Sequence, residues 1–257
     1  MVATNQLDSP NTIIGVPFEY GHNVRTLCDE LPETSGTQEL AMKKREFKIR
    51  LADDAGQRSS ASMLINKMYS WRGYSTSSPL SEDPNRITLV AGDGEHTIGT
   101  ISINFDSEIG LLVDQLYKDE LDKLRASGRR VCEFIKLAVD GEVKSKRVLA
   151  SLFHIAMIFA HNIRKATDIV IEVNPRHVKF YERMLDFTQI SDERLNPRVN
   201  APAVLLGMDL NHLHSLARHF GGKPELANTE KSFYPYFFSP AEEEGITNRL
   251  IMMDNQG

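Results

Sequence analysis

Two cysteines in 257 residues, Cys28 and Cys132, are too few for a disulfide scaffold, and the expected compartment is the reducing cytoplasm. Long apolar runs are missing as well. The longest, Val148 to Ala160, is interrupted by Ser151 and His154 and falls short of the roughly 20 residues that span a bilayer. No integral membrane association is expected. The N-terminus, MVATNQLDSP, has no basic and apolar leader pattern. A basic excess is also absent. Thirty Lys and Arg stand against 35 Asp and Glu, a net charge of −5, so the composition excludes a general nucleic-acid binder. There is no Gly-x-Ser-x-Gly, Walker loop or dinucleotide fingerprint. His212, His214 and His219 share a segment without His-Glu-x-x-His spacing or a Glu among them, so no metal is expected. The remaining composition, 41 % apolar and 25 % charged, is that of a globular chain and excludes collagen or wholesale disorder.

What is present is ordered patterning from about residue 43 onward. Residues 1–40 carry Pro10, Pro17 and Pro32 without sustained periodicity, which predicts an irregular extension. Glu46 to Leu51 alternates with period two, as a half-buried strand does. Met63, Leu64, Met68 and Trp71 recur at helical spacing over 57–72. Ile87–Ala91 and Ile98–Phe105 flank Gly92-Asp93-Gly94-Glu95, and the Asp-Gly pair predicts a hairpin. A short helix at 116–127 should end at Gly128 in a left-handed cap. Strands at 131–139 and 169–173, joined by a helix at 144–165, form a βαβ unit with parallel strands. A helix at 175–186, a strand at 202–209 and a helix at 211–220 follow.

The segment Val173-Asn174-Pro175-Arg176-His177-Val178-Lys179-Phe180-Tyr181-Glu182-Arg183-Met184-Leu185-Asp186-Phe187 resembles the last motif of the GNAT acyltransferases. There a strand runs into Asn and, seven residues on, Tyr-Glu-x-x-Gly-Phe. Here the span to Phe187 is one residue longer, and Asp186 stands for Gly. The strand Glu133-Phe134-Ile135-Lys136-Leu137-Ala138-Val139-Asp140 is similar to the fourth strand of that fold. The turn after it departs from the family. Lys144-Ser145-Lys146-Arg147-Val148-Leu149 has Arg147 and Leu149 where coenzyme-A-binding members have small residues, and these side chains crowd the close backbone approach that glycine permits.

Two branches that use acyl carrier protein lack that glycine turn. In acyl-homoserine-lactone synthases the strand reads Glu-x-Ser-Arg-Phe, to which Glu133-Phe134-Ile135-Lys136-Leu137 is similar, without the Ser-Arg. The long-chain N-acyl amino acid synthases of the FeeM type match more closely from about residue 44. Their resemblance includes Asn66-Lys67-Met68-Tyr69-Ser70-Trp71-Arg72-Gly73-Tyr74 and Ser232-Phe233-Tyr234-Pro235-Tyr236-Phe237-Phe238. It implies an α/β (α+β) GNAT-like fold, with a mixed sheet whose parallel strands splay to admit the pantetheine arm. The three expected units are the extension at 1–40, the acyltransferase domain at 41–222 and a tail at 223–257 packing on it.

The implied reaction moves a long-chain acyl group from acyl carrier protein to the α-amine of an amino acid. No cofactor is held permanently. The donor substrate is an acyl-phosphopantetheine thioester, carried by acyl carrier protein or, failing that, by coenzyme A. Such chemistry needs a base for the ammonium, donors for the oxyanion and an acid for the thiolate. Glu133, a carboxylate on an apolar strand, is the candidate base; its bland alternative is an ion pair at the sheet edge. Tyr181 is the candidate acid, or else a packing ring beside Met184 and Leu185. Asn174 either holds pantetheine or caps the next helix, with capping the simpler reading. Backbone N–H groups from Leu137 to Val139 are the candidate oxyanion donors. Lys136 and Arg72 are candidates for the substrate carboxylate, and Trp71 and Tyr74 for the pocket wall. The acidic carrier protein is expected to meet Lys144, Lys146, Arg147, Arg164 and Lys165. Two other readings compete. A homoserine-lactone synthase would release methylthioadenosine, and a silent acyl-thioester binding module would be indifferent to Glu133→Gln.

Overall fold

Period-two patterning, the Asp-Gly turn and one long apolar helix build a nine-stranded sheet with helices on both faces. The computed structural model describes residues 11–18, 45–70, 83–94, 96–141, 143 and 145–254. The strands are β1 (Thr12–Phe18), β2 (Arg45–Leu51), β3 (Arg86–Asp93), β4 (His96–Phe105), β5 (Val131–Val139), β6 (Asp168–Val173), β7 (Thr188–Gln189), β8 (Arg194–Asn196) and β9 (Ala201–Asp209). They lie in the order β1-β2-β3-β4-β5-β6-β9-β7, with β8 also on β9. β5 and β6 pair in parallel; the other pairs are antiparallel. The hairpin predicted at Asp93-Gly94 joins β3 to β4, with Gly94 at φ +63°.

Alternation along the strands sorts side chains onto two faces. On one face Ala138 and Val90 pack under α1 (Ala55–Ser70), while Val131, Val170 and Leu205 pack under α2 (Asp114–Ala126). Gly128, at φ +77°, ends α2 as its position predicts. The other face receives α3 (Lys146–Ile158), α4 (Val178–Leu185), α5 (Leu210–Phe220) and α6 (Pro240–Asp254). Every residue of α3 from Val148 to Ile158 is buried, and a π turn at Phe159–Ile163 continues it. Phe233, Tyr234, Phe237 and Phe238 close this layer; Phe233 stacks on Phe153, with ring centroids 6.3 Å apart. Among the described residues no helix is long and apolar enough to cross a membrane.

Two elements differ from the expectations. The stretch read as irregular contains β1, an edge strand on β2. Gly15 and Pro17 hide its pattern, and a register shift between Thr12 and Ile14 lets both Ile13 and Val16 turn inward. Pro17 is tolerated because the strand is an edge. The tail contains α6, in which Glu243, Ile246 and Leu250 face the core. Its Glu242-Glu243-Glu244 run looks like a solvated segment when taken alone.

Candidate active site

β5 and β6 pair for three residues, Val131–Asp168, Cys132–Ile169 and Glu133–Val170, and then part. β5 continues to Val139 and β6 to Val173 without further pairing between them. The cause is visible on the other edge of β5. Ser102 faces Ile135 and Thr100 faces Ala138, so Ile101 stands opposite both Lys136 and Leu137. That is a β-bulge, with Lys136 at φ +54°, and a bulge bends its strand away from the neighbour. The half-buried Leu137 and Val139 lie on the part of β5 beyond the parting.

Glu133 is the last residue of β5 to pair with β6. It faces the α1–α2 side, because Val131, two residues earlier, packs under α2. It is 1 % exposed. Its Oε2 accepts from the Asn104 side-chain amide at 3.3 Å and from the Leu112 N–H at 3.0 Å. Oε1 accepts no hydrogen bond from any described residue. Asn104 is itself oriented, since its Oδ1 accepts from Arg86 Nε at 2.6 Å, which turns the amide N–H toward Glu133. Burial pushes the Glu133 carboxyl up to about 7; the two hydrogen bonds and Arg198 oppose the rise, and Glu172 adds to it. A carboxyl titrating there, with one unused oxygen, can take a proton near neutral pH.

A second polar group lies on the same face. Glu172 follows Val170 by two residues, so both point to the α2 side. Asn196 donates to Glu172 Oε1, and Arg198 Nη2 donates to both Glu172 oxygens at 3.2 and 3.1 Å. Sequence reasoning missed this trio. The available signal was a second carboxylate on an apolar strand, the same signal that marks Glu133.

Tyr181 is buried on the α3 side of the sheet, edge-on to Phe153, Phe180 and Phe187 at 6.5, 5.2 and 6.0 Å. Glu133 and Tyr181 thus lie on opposite faces of the sheet. Asn174 caps the turn after β6, accepting from the Arg176 N–H at 3.2 Å, and donates to the Pro202 carbonyl at 3.3 Å. Lys136 is half-buried, and burial together with the charge of Arg86 lowers its pKa. Trp71, Arg72, Tyr74 and Lys144 lie outside the described residues.

The described residues expected to meet the carrier protein lie at the two ends of one helix. Lys146 and Arg147 begin α3, whereas Arg164 and Lys165 follow its π turn, about 18 residues and roughly 27 Å along the helix. Arg147 donates to the Tyr236 carbonyl at 3.0 Å and lies 5.7 Å from the Phe238 ring. Arg164 pairs with Asp254 at 3.2 Å and lies over Phe105 and Phe159. Among the described residues no three His, Cys, Asp or Glu side chains gather as a metal site.

The family model described as the N-acyl amino acid synthase FeeM matches residues 60–209. Among solved structures, that of FeeM, an N-acyl amino acid synthase from uncultured soil microbes, is 29 % identical with a TM-score of 0.59, covering 66 % of this chain and 93 % of that one. A putative N-acetyltransferase from Lactobacillus plantarum is 16 % identical with a TM-score of 0.47, covering 64 % and 98 %. MesI, a CoA-dependent acyl-homoserine lactone synthase, is 12 % identical with a TM-score of 0.44, covering 59 % and 80 %. No curated protein matches the sequence.

Proposed function

Because the chain belongs to the FeeM family of N-acyl amino acid synthases, and is thus an N-acyltransferase of GNAT-like fold, we propose that it transfers a long-chain acyl group from acyl carrier protein to the α-amine of an amino acid. One observation carries the assignment of the reacting centre. Glu133 is a buried carboxyl with one oxygen that no described residue pairs, placed where β5 and β6 part.

In this reading Glu133 Oε1 takes a proton from the acceptor ammonium. The freed amine attacks the thioester carbonyl, a C–N bond forms and the C–S bond breaks. The nitrogen sheds two protons in all; one ends on Glu133 and the equivalent of the other on the leaving sulfur. Tyr181, at the start of the helix after β6, supplies the proton to sulfur. Backbone N–H groups of the bulged stretch, Leu137 to Val139, stabilise the oxyanion. The arm of the thioester enters between the parted strands. A carrier protein rather than coenzyme A is favoured because Arg147 and the buried Leu149 occupy positions at the start of α3 where a glycine turn would admit a pyrophosphate.

The test offers the purified protein palmitoyl-acyl carrier protein or palmitoyl-coenzyme A with twenty amino acids, with products identified by mass spectrometry. N-acyl amino acid from the carrier protein is expected. Equal use of coenzyme A overturns the donor assignment, and no product from either donor overturns the activity on amino acids.

A further inference from the structure

An acceptor amino acid brings a carboxylate as well as an amine, and a carboxylate leaving water needs a fixed cation. Arg86, Lys136 and Arg198 are described cations linked to Glu133 or to its neighbours. Arg86 is committed, with Nε on Asn104 and Nη2 paired with Asp83 at 3.4 Å. Lys136 sits in the bulge beside that same arginine. Arg198 differs from both. Its backbone N–H donates to Asn196 Oδ1 at 2.8 Å, and its Nη2 rests on Glu172. Backbone and head group are thus both held, while Nε and Nη1 donate to no described residue.

The spacing suits an α-amino acid. Glu133 pairs with Val170, and Glu172 is two residues farther along the adjacent strand on the same face. Their Cα atoms are therefore roughly 8 Å apart, from strand separation and rise. The charge of Arg198 is felt at Glu133, so the guanidinium lies within electrostatic reach of the base. We propose that Arg198, clamped by Glu172 and Asn196, binds the α-carboxylate of the acceptor while Glu133 receives its ammonium. The substrate class follows: acceptors carry a free carboxylate next to the amine, and amines without one are poor substrates. Glu172 and Asn196 are positioning residues.

This inference rests on the amino-acid acceptor proposed above, and its test separates the two. L-leucine, L-phenylalanine and L-tyrosine are compared with their carboxamides at saturating palmitoyl-acyl carrier protein, using the full chain. The wild type should prefer the acids over the carboxamides by about 100-fold in kcat/KM, the scale of charge-assisted hydrogen bonds. Arg198→Ala should raise KM for the acids far more than for the carboxamides and reduce that preference to about tenfold or less. Arg198→Lys keeps the charge but loses the fork, should retain an intermediate preference and serves if the alanine variant folds poorly. An undiminished preference in both variants, or its loss in Lys136→Ala instead, overturns the role of Arg198 while leaving the acyltransferase reading intact. No acylation of amino acids by the wild type overturns both.

Discussion

Glu133 and Glu243 are both buried carboxyls, 1 % and 6 % exposed, and their surroundings drive them in opposite directions. Glu133 is pushed up to about 7, and Glu243 is held down at about 2. Desolvation raises both. The difference lies in the donors. Glu243, on α6, accepts from Asn162 Nδ2 at 3.2 Å and His214 Nε2 at 3.0 Å on one oxygen. The His154 ring stands 3.6 Å from the other. Phe238 donates its N–H to His154 Nδ1, which leaves the ring proton on Nε2, facing Glu243. Burial lowers the pKa of that imidazole, and the carboxylate of Glu243 opposes the shift. Glu133 has two amide donors on one oxygen and, among the described residues, none on the other. A buried carboxylate set beside two imidazoles ties helices together, whereas one met only by amide donors is left able to exchange a proton.

The sharpest way to break this contrast is to neutralise each glutamate in turn. Glu133→Gln should lower turnover by about 10²- to 10⁴-fold, the range for losing a general base, without lowering the melting temperature at pH 8. A variant retaining a tenth of the activity would remove Glu133 from the chemistry. Glu243→Gln should do the reverse. Denaturant melts should show a loss of about 3 kcal/mol, as for a broken buried network, with kcat per folded molecule unchanged.

Tyr181→Phe comes next. If Tyr181 protonates the leaving sulfur, kcat should fall by about 100-fold with little change in KM; an unchanged kcat would mark it as packing alone.

The pH dependences should also run in opposite senses. Glu133 is raised from an ordinary carboxyl value of 4.5 to about 7, so its contribution to stability is full below 4.5 and is lost as pH rises through about 7. Glu243 is depressed from 4.5 to about 2, so its contribution is full above 4.5 and is lost as pH falls toward 2. Melting curves of the two Gln variants against the wild type across pH should therefore diverge in opposite directions. For activity, kcat/KM should rise with an apparent pKa near 7, the value at which Glu133 becomes a base. Asn104→Ala should give the smallest change. One donor that favours the ionised form is lost, and the apparent pKa of the rate profile should move up by about one unit or less.

Much of this site lay open in the sequence because it is local to one strand. Glu133 on an otherwise apolar run, the hairpin at Asp93-Gly94 and the buried helix after β5 each follow from residues close in the chain. What was hidden depends on pairing at a distance. The parting of β5 from β6 after three residue pairs comes from a bulge that only the β4 register reveals. The Glu172–Arg198 contact joins β6 to the connection between β8 and β9, 26 residues along. The basic residues expected to meet the carrier protein mark both ends of α3. Charges gathered at the two ends of one helix are close in sequence listing by composition, yet the helix holds them apart along its length.

The bond from the Phe238 N–H to His154 spans 84 residues, and α6 also packs against β1. During synthesis α3 leaves the ribosome long before its aromatic cover does. For that interval the most apolar helix of the chain has no complete partner on its outer side. The outer side of α3 and the contact between β1 and α6 can thus be completed only after the C-terminal elements have been made.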